Sequence, residues 1–82
     1  MASNQSLFPE LRDLFVEIFH VLPADVTPET QFGELPQWDS MGHMDLMVAL
    51  EQKYAVEISA ETISQLISIP AIIAHIQASQ HA

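Results

Sequence analysis

The residues able to do chemistry in this 82-residue chain are few, and most lie in one short stretch. Asp39, Ser40, His43 and Asp45 fall within two helical turns of one another. Serine, histidine and carboxylate are the parts of a hydrolytic triad, and Ser40 and His43, one turn apart, would share a helix face. A triad also needs a pocket and oxyanion donors, and a chain this short has little room for both. An intrinsic enzyme is therefore not expected. The histidines, His20, His43, His75 and His81, show no paired ligand spacing, so all four are read as exposed polar residues and no metal site is expected. Cysteine is absent. That excludes a disulfide framework, and any thiol chemistry must arrive with something attached to the chain.

The elements that must position Ser40 can be read from hydrophobic spacing. Leu7, Phe8, Leu11, Leu14, Phe15, Ile18, Phe19 and Leu22 recur at helical intervals and predict a helix from about Leu7 to His20. Ser6 suits its N-cap and Pro9 its first turn. Periodicity stops from Val21 to Trp38, where Pro23, Pro28, Gly33 and Pro36 punctuate a long loop. Leu22, Val26, Phe32 and Leu35 are expected to hold that loop against the helices. Trp38 is read as a loop aromatic lying against the bundle rather than as a specificity element. A second helix is predicted from Ser40 to Tyr54, capped by Asp39 or Ser40. A short third fits Ala60 to Leu66 behind Ser59. A fourth follows Ser68, with Pro70 in its first turn and Ile69, Ile72, Ile73 and Ile76 as its stripe. The end from Gln77 to Ala82 is expected to fray. The expectation is an all-α four-helix bundle with one short third helix and a long first loop. It forms a single domain over residues 1–82, with its core at about 7–78.

Composition narrows the partners. Hydrophobic residues make up 49% of the chain and mean hydropathy is +0.20, which argues for a packed core rather than disorder. The longest apolar run, Leu46 to Leu50, is far short of the about 20 residues a membrane span needs. The N-terminal stretch lacks the basic and apolar regions of a secretory signal, so a cytoplasmic protein is expected. Eleven acids against two bases, Arg12 and Lys53, give a net charge of −9. Nucleic acid and anionic membranes are excluded by that sign, and proteins with basic surfaces are favoured as partners.

The second helix carries two apolar faces. With about 100° per residue, Leu46, Met47, Leu50 and Tyr54 share one side, while Met41, Met44 and Val48 share the other. Asp45, Gln52 and Glu51 border the second patch, and Ser40 stands at its N-terminal edge. A helix buried all round would look similar. The alternative is a docking face, because an apolar patch with a polar rim marks an interaction site and methionine re-packs readily against different surfaces.

The segment Pro36-Gln37-Trp38-Asp39-Ser40-Met41-Gly42-His43-Met44-Asp45-Leu46 resembles the phosphopantetheine attachment segment of acyl carrier proteins. The likeness rests on Asp39-Ser40-Met41 opening the second of four helices. It continues through Leu46-Met47-Val48-Ala49-Leu50-Glu51, Tyr54 and Val56-Glu57-Ile58, and covers about Leu7 to Ala78. The resemblance implies a 4′-phosphopantetheine arm, taken from coenzyme A by a separate Mg²⁺-dependent phosphopantetheinyl transferase and attached to Ser40. It implies that the arm's thiol holds an acyl or aminoacyl group as a thioester and presents it to acyl-loading and acyl-processing enzymes, with the carrier itself a monomer. It places Asp39, Met41, Met44, Asp45, Val48 and Glu51 at partner contacts, with Asp39 also serving as N-cap. Physically, a phosphodiester on the first residue of a helix sits at the positive end of the dipole.

Three residues depart from the common fatty-acid pattern: Trp38 before the Asp-Ser pair, then Gly42 and His43. Gly42 costs about 1 kcal/mol of helix propensity relative to Ala and is read as leaving room for a partner or the arm. The string is closer to stand-alone carriers of polyketide-like, aminoacyl or polysaccharide-tailoring systems. Gln52 and Lys53 thin the acidity toward the helix end. The competing reading is an interaction module of the same fold that is never modified.

Overall fold

Leu7, Leu11, Leu14, Phe15 and Phe19 lie at spacings of three and four and are all buried, so the first helix exists to sink one stripe into the core. A computed structural model describes residues 4–81, and side chains over 7–79. Among these residues the helices are α1 (Asn4–Phe19), α2 (Ser40–Tyr54), α3 (Ala60–Gln65) and α4 (Ile69–His81), with a 3₁₀ turn at Pro23–Asp25 in the first loop. The only strand-like pairing among them is an isolated antiparallel bridge between Gln31 and Ser68. No helix among them is long and apolar enough to cross a membrane.

The bounds of α2 agree with the expected ones, and α3 stops one residue short of Leu66. Two ends differ. α1 starts at Asn4, so Ser6 is inside the helix rather than its N-cap, and Pro9 stands in the second turn. Burying Leu7 on the stripe of Leu11 requires helical backbone already at Leu7, and the preceding turn supplies the carbonyls for its first bonds. Pro9 in the second turn removes one i→i−4 bond from the helix, a cost that burial of the Leu7–Phe19 stripe must offset. At the other end, the amide of His20 donates to the Val16 carbonyl (2.9 Å), but His20 has φ 57° and ends the helix in the left-handed region. α4 continues helical through His81, where fraying was expected from Gln77; the Ala and Gln residues of this stretch have good helix propensity. Ala82 and the side chain of His81 lie outside the described residues.

α1 and α2 are antiparallel. The Tyr54 hydroxyl at the end of α2 donates to Glu10 near the start of α1 (3.4 Å). At the opposite end the Phe19 ring lies against Gly42. The loop between them therefore starts and finishes at one end of the helix pair. Its middle is fastened to the α3–α4 junction: the amide of Ile69 donates to the Thr30 carbonyl (2.9 Å) and that of Phe32 to the Ile67 carbonyl (2.8 Å). Val26 and Leu35 anchor the loop as expected; Phe32 is exposed on one side but its ring packs on Trp38 and His43, while Leu22 is left uncovered. Thr30 is buried and accepts from the Thr27 amide through its hydroxyl (2.8 Å). Ser59 caps α3 by accepting from the Thr62 amide, and Ser68 accepts from the Ala71 amide at the start of α4.

Tyr54 is the sole tyrosine, so its titration is unambiguous. Its hydroxyl is pushed from the usual 10.0 up to about 12, first by burial, then by the charge of Glu10 and the hydrogen bond to it. Because the folded value lies above the unfolded one, the stability contributed by the neutral phenol is fully present below pH 10 and is lost as pH rises from 10 to 12. The phenolate absorbance should therefore rise near pH 12 in the folded protein. Tyr54→Phe should lose less stability than wild type across the same interval, measured by urea unfolding at each pH.

Candidate attachment site and docking face

Ser40 is placed by what happens two residues before it. Trp38 is fully buried, with its ring edge-on to Phe15 (centroids 5.0 Å apart) and near-parallel to Phe19 at 6.4 Å, both on α1. Phe32 packs on it from the loop at 6.0 Å. A buried indole N–H needs an acceptor, and here it donates to Nδ1 of His43 (2.9 Å). With Nδ1 accepting, the ring proton is on Nε2, which donates to the Ile63 carbonyl at 2.7 Å. One imidazole thus joins the loop, α2 and α3.

One expectation is met by this arrangement and one is corrected. Trp38 lies against the bundle as expected, fully buried in the Phe15–Phe19 aromatic cluster. His43 is buried rather than exposed, because it satisfies the Trp38 indole and an α3 carbonyl at once. On the helical wheel His43 falls in the middle of the Leu46–Leu50 side, so position carried a signal that its polar residue type masked. Both ring nitrogens are engaged, which removes His43 as a base for Ser40. Of the other histidines, His20 is exposed, and His75 is half-buried with Nε2 against the Glu57 carbonyl (3.0 Å). Among the described residues no three potential metal ligands gather.

Asp39 then turns the chain into α2. It is the N-cap, and its Oδ1 accepts from the Gly42 amide (2.9 Å) while its carbonyl accepts from the His43 amide (2.7 Å). Ser40 is exposed as the first residue of the helix, and its amide and that of Met41 have no intrahelical acceptor. A hydroxyl here is open to solvent at the positive end of a 15-residue helix, which suits a covalently attached phosphodiester. The fit is to an anion built on the serine itself.

Gly42 serves the chain rather than a visitor. A side chain there would collide with the Gln37 carbonyl and come within 2.8 Å of the Phe19 ring. The space read as room for a partner or the arm is filled by the protein's own loop and α1.

The two faces of α2 separate as the wheel suggests. His43, Leu46, Met47 and Leu50 are buried and Tyr54 is half-buried. Met41, Met44 and Val48 are 81%, 48% and 51% exposed. Asp45 and Glu51 are exposed beside them, as is Asp39 at the helix start. Every residue expected at the docking face is therefore at the surface of one helix.

Comparison with known proteins agrees with this geometry. A family model described as a phosphopantetheine attachment site matches residues 9–76. The meromycolate extension acyl carrier protein of Mycolicibacterium aurum is 32% identical over 93% of this chain and 78% of its own length. Acyl carrier proteins of Helicobacter pylori strain G27 and Campylobacter hominis are 31% and 34% identical, over 88% and 87% of this chain and 92% and 90% of theirs. The chain belongs to the phosphopantetheine-binding acyl carrier proteins, which are covalent carriers on a 4′-phosphopantetheine group rather than enzymes.

Three substitutions check the packing. Helix propensity alone would make Gly42→Ala stabilising by about 1 kcal/mol. The collision with backbone and ring should instead make it destabilising by about 1–3 kcal/mol in a urea melt. On the two faces, Leu46→Ala should cost about 2–5 kcal/mol, while Val48→Ala should change stability by less than about 0.5 kcal/mol. The buried Trp38 indole provides the fluorescence readout for all three melts.

Proposed function

We propose that Ser40 is the residue that receives the 4′-phosphopantetheine group, and that Met41, Met44 and Val48, with Asp39, Asp45 and Glu51 around them, receive the partner enzymes. The observation that carries this reading is the exposure of Ser40 on the first turn of α2 while Trp38 and Asp39 before it are fixed by burial and capping. The Ser40 hydroxyl oxygen attacks the pantetheine-side phosphorus of the coenzyme A diphosphate within a transferase that supplies base and metal; the hydroxyl proton goes to that base, the diphosphate P–O bond breaks, and adenosine 3′,5′-bisphosphate leaves. Once bound, the arm contributes a terminal thiol, on which acyl groups are carried as thioesters. The names of the relatives support an acyl cargo.

The acidic surface selects the partners. A chain of net charge −9 attracts basic enzyme surfaces over distance, while the methionines supply apolar contact on arrival. The same acidity disfavours nucleic acid and anionic membranes. The carrier acts as a monomer in the cytoplasm, its docking face left free for successive partners.

Incubation with coenzyme A, Mg²⁺ and a broad-specificity phosphopantetheinyl transferase should raise the intact mass by one arm. Ser40→Ala should remain folded and gain nothing. Modification that persists in Ser40→Ala would overturn the assignment. Reversing Asp45 and Glu51 to Lys should slow arm transfer, and the wild-type rate should fall as salt rises. A rate insensitive to both would show that these acids do not steer the transferase.

A further inference from the structure

Sulfur in this cysteine-free chain is confined to four methionines, Met1, Met41, Met44 and Met47. The last three stand at three-residue intervals in α2, and the fold treats them differently. Met41 is 81% exposed and Met44 48%, both on the face that begins at Ser40, while Met47 is 1% exposed in the core. A thioether that oxidant can reach is converted to a sulfoxide, which is polar and chiral where methionine was apolar. Hydrogen peroxide is neutral, so the exposed carboxylates of Asp39, Asp45 and Glu51 do not turn it away. Trp38, the single tryptophan, is fully buried and out of its reach.

We propose that Met41 and Met44 are a modification site, oxidised to sulfoxides by hydrogen peroxide, and that the change closes the docking face to partner enzymes until it is reversed. The inference rests on that face being the one partners meet. Each sulfur attacks one peroxide oxygen with an electron pair, the O–O bond breaks, and the proton on the attacked oxygen passes to the departing hydroxide, which leaves as water. In the reverse direction the thiols of a methionine sulfoxide reductase return the electron pair, the oxygen leaves as water, and a disulfide forms on the reductase. A sulfoxide oxygen is a strong acceptor, and an apolar contact offers it no donor, so the face loses the adaptable apolar surface that the methionines supplied. The core is spared because Met47 is enclosed, so the oxidised carrier stays folded.

The test uses the full apo chain, in which no arm thiol competes for oxidant. After treatment with hydrogen peroxide, and catalase to remove the excess, the tryptic peptide of residues 13–53 carries all three helical methionines and is fragmented. Oxygen should appear on Met41 first and Met44 next, with Met47 still unmodified when both are converted. Arm transfer from coenzyme A by the broad-specificity transferase, followed by intact mass at subsaturating carrier, should slow by about fivefold or more, as expected for an unpaired polar oxygen in an apolar contact. The urea midpoint read from Trp38 should not move, and the two epimer-specific sulfoxide reductases together should restore the rate. In Met41→Leu/Met44→Leu, peroxide should leave that variant's own rate as it was before treatment. Oxygen on Met47 as early as on Met41 would overturn the assignment. So would a lowered urea midpoint, a slowed rate that the reductases do not restore, or peroxide sensitivity that persists in the double leucine variant. Unchanged transfer after oxidation would also overturn it, and Met41→Asp/Met44→Asp shows how far that failure reaches. Slow transfer in this variant leaves the docking face standing, whereas undiminished transfer removes the face as well. No mass gain in the untreated chain would overturn the attachment reading, and this inference with it.

Discussion

The hydrogen bond from the Trp38 indole to His43 is the contact on which the placement of α2 depends. Burying an indole among Phe15, Phe19 and Phe32 removes a large apolar surface from water, but its N–H must find an acceptor. His43 supplies that acceptor and passes its own proton to the Ile63 carbonyl. An unsatisfied partner in such a buried chain costs about 1–3 kcal/mol, a considerable part of the stability of a small domain. The chain thus fixes residue 38 from inside and residue 43 from inside, and the five-residue interval between them has to turn outward at Asp39 and Ser40. The serine is presented because its neighbours are held.

That constraint also explains why Trp38, Gly42 and His43 depart together from the common pattern. Trp38 and His43 bond to each other, and Gly42 admits the Gln37 carbonyl and the Phe19 ring that close over the same corner. All three serve internal packing at the start of α2. The exposed surface proposed for partners is carried by other residues, Met41, Met44 and Val48 with the acids around them. A single helix therefore divides its duties by face. The buried side fixes orientation through Leu46, Met47 and Leu50, and the exposed side keeps adaptable methionines that stability does not require.

Much of this was legible in the residues, and the remainder was hidden for definable reasons. The bounds of α2 could be read because Asp39 is a strong cap and the apolar spacing from Leu46 to Tyr54 is regular. The start of α1 was misplaced because Ser6 is a good cap by type, yet Leu7 is already committed to the core and draws a further turn in front of it. His43 was assigned to the surface on residue type, although its angle on the wheel put it among the buried side chains. Its two partners, five and twenty residues away, are visible only in three dimensions. The exposed apolar face of α2 was the easier part, since a helix with apolar residues on opposite sides in so small a fold must expose one of them.

The central claim is that Ser40 is the attachment residue, and peptide mapping of the modified protein tests it most directly. Arg12 and Lys53 are the only trypsin sites, and the middle peptide, residues 13–53, contains Ser40 as its one serine. After incubation with coenzyme A and transferase, the arm's mass should appear on that peptide, and fragmentation should place it between Asp39 and Met41. The same mass on residues 1–12 or 54–82, or on a threonine of the middle peptide, would contradict the account.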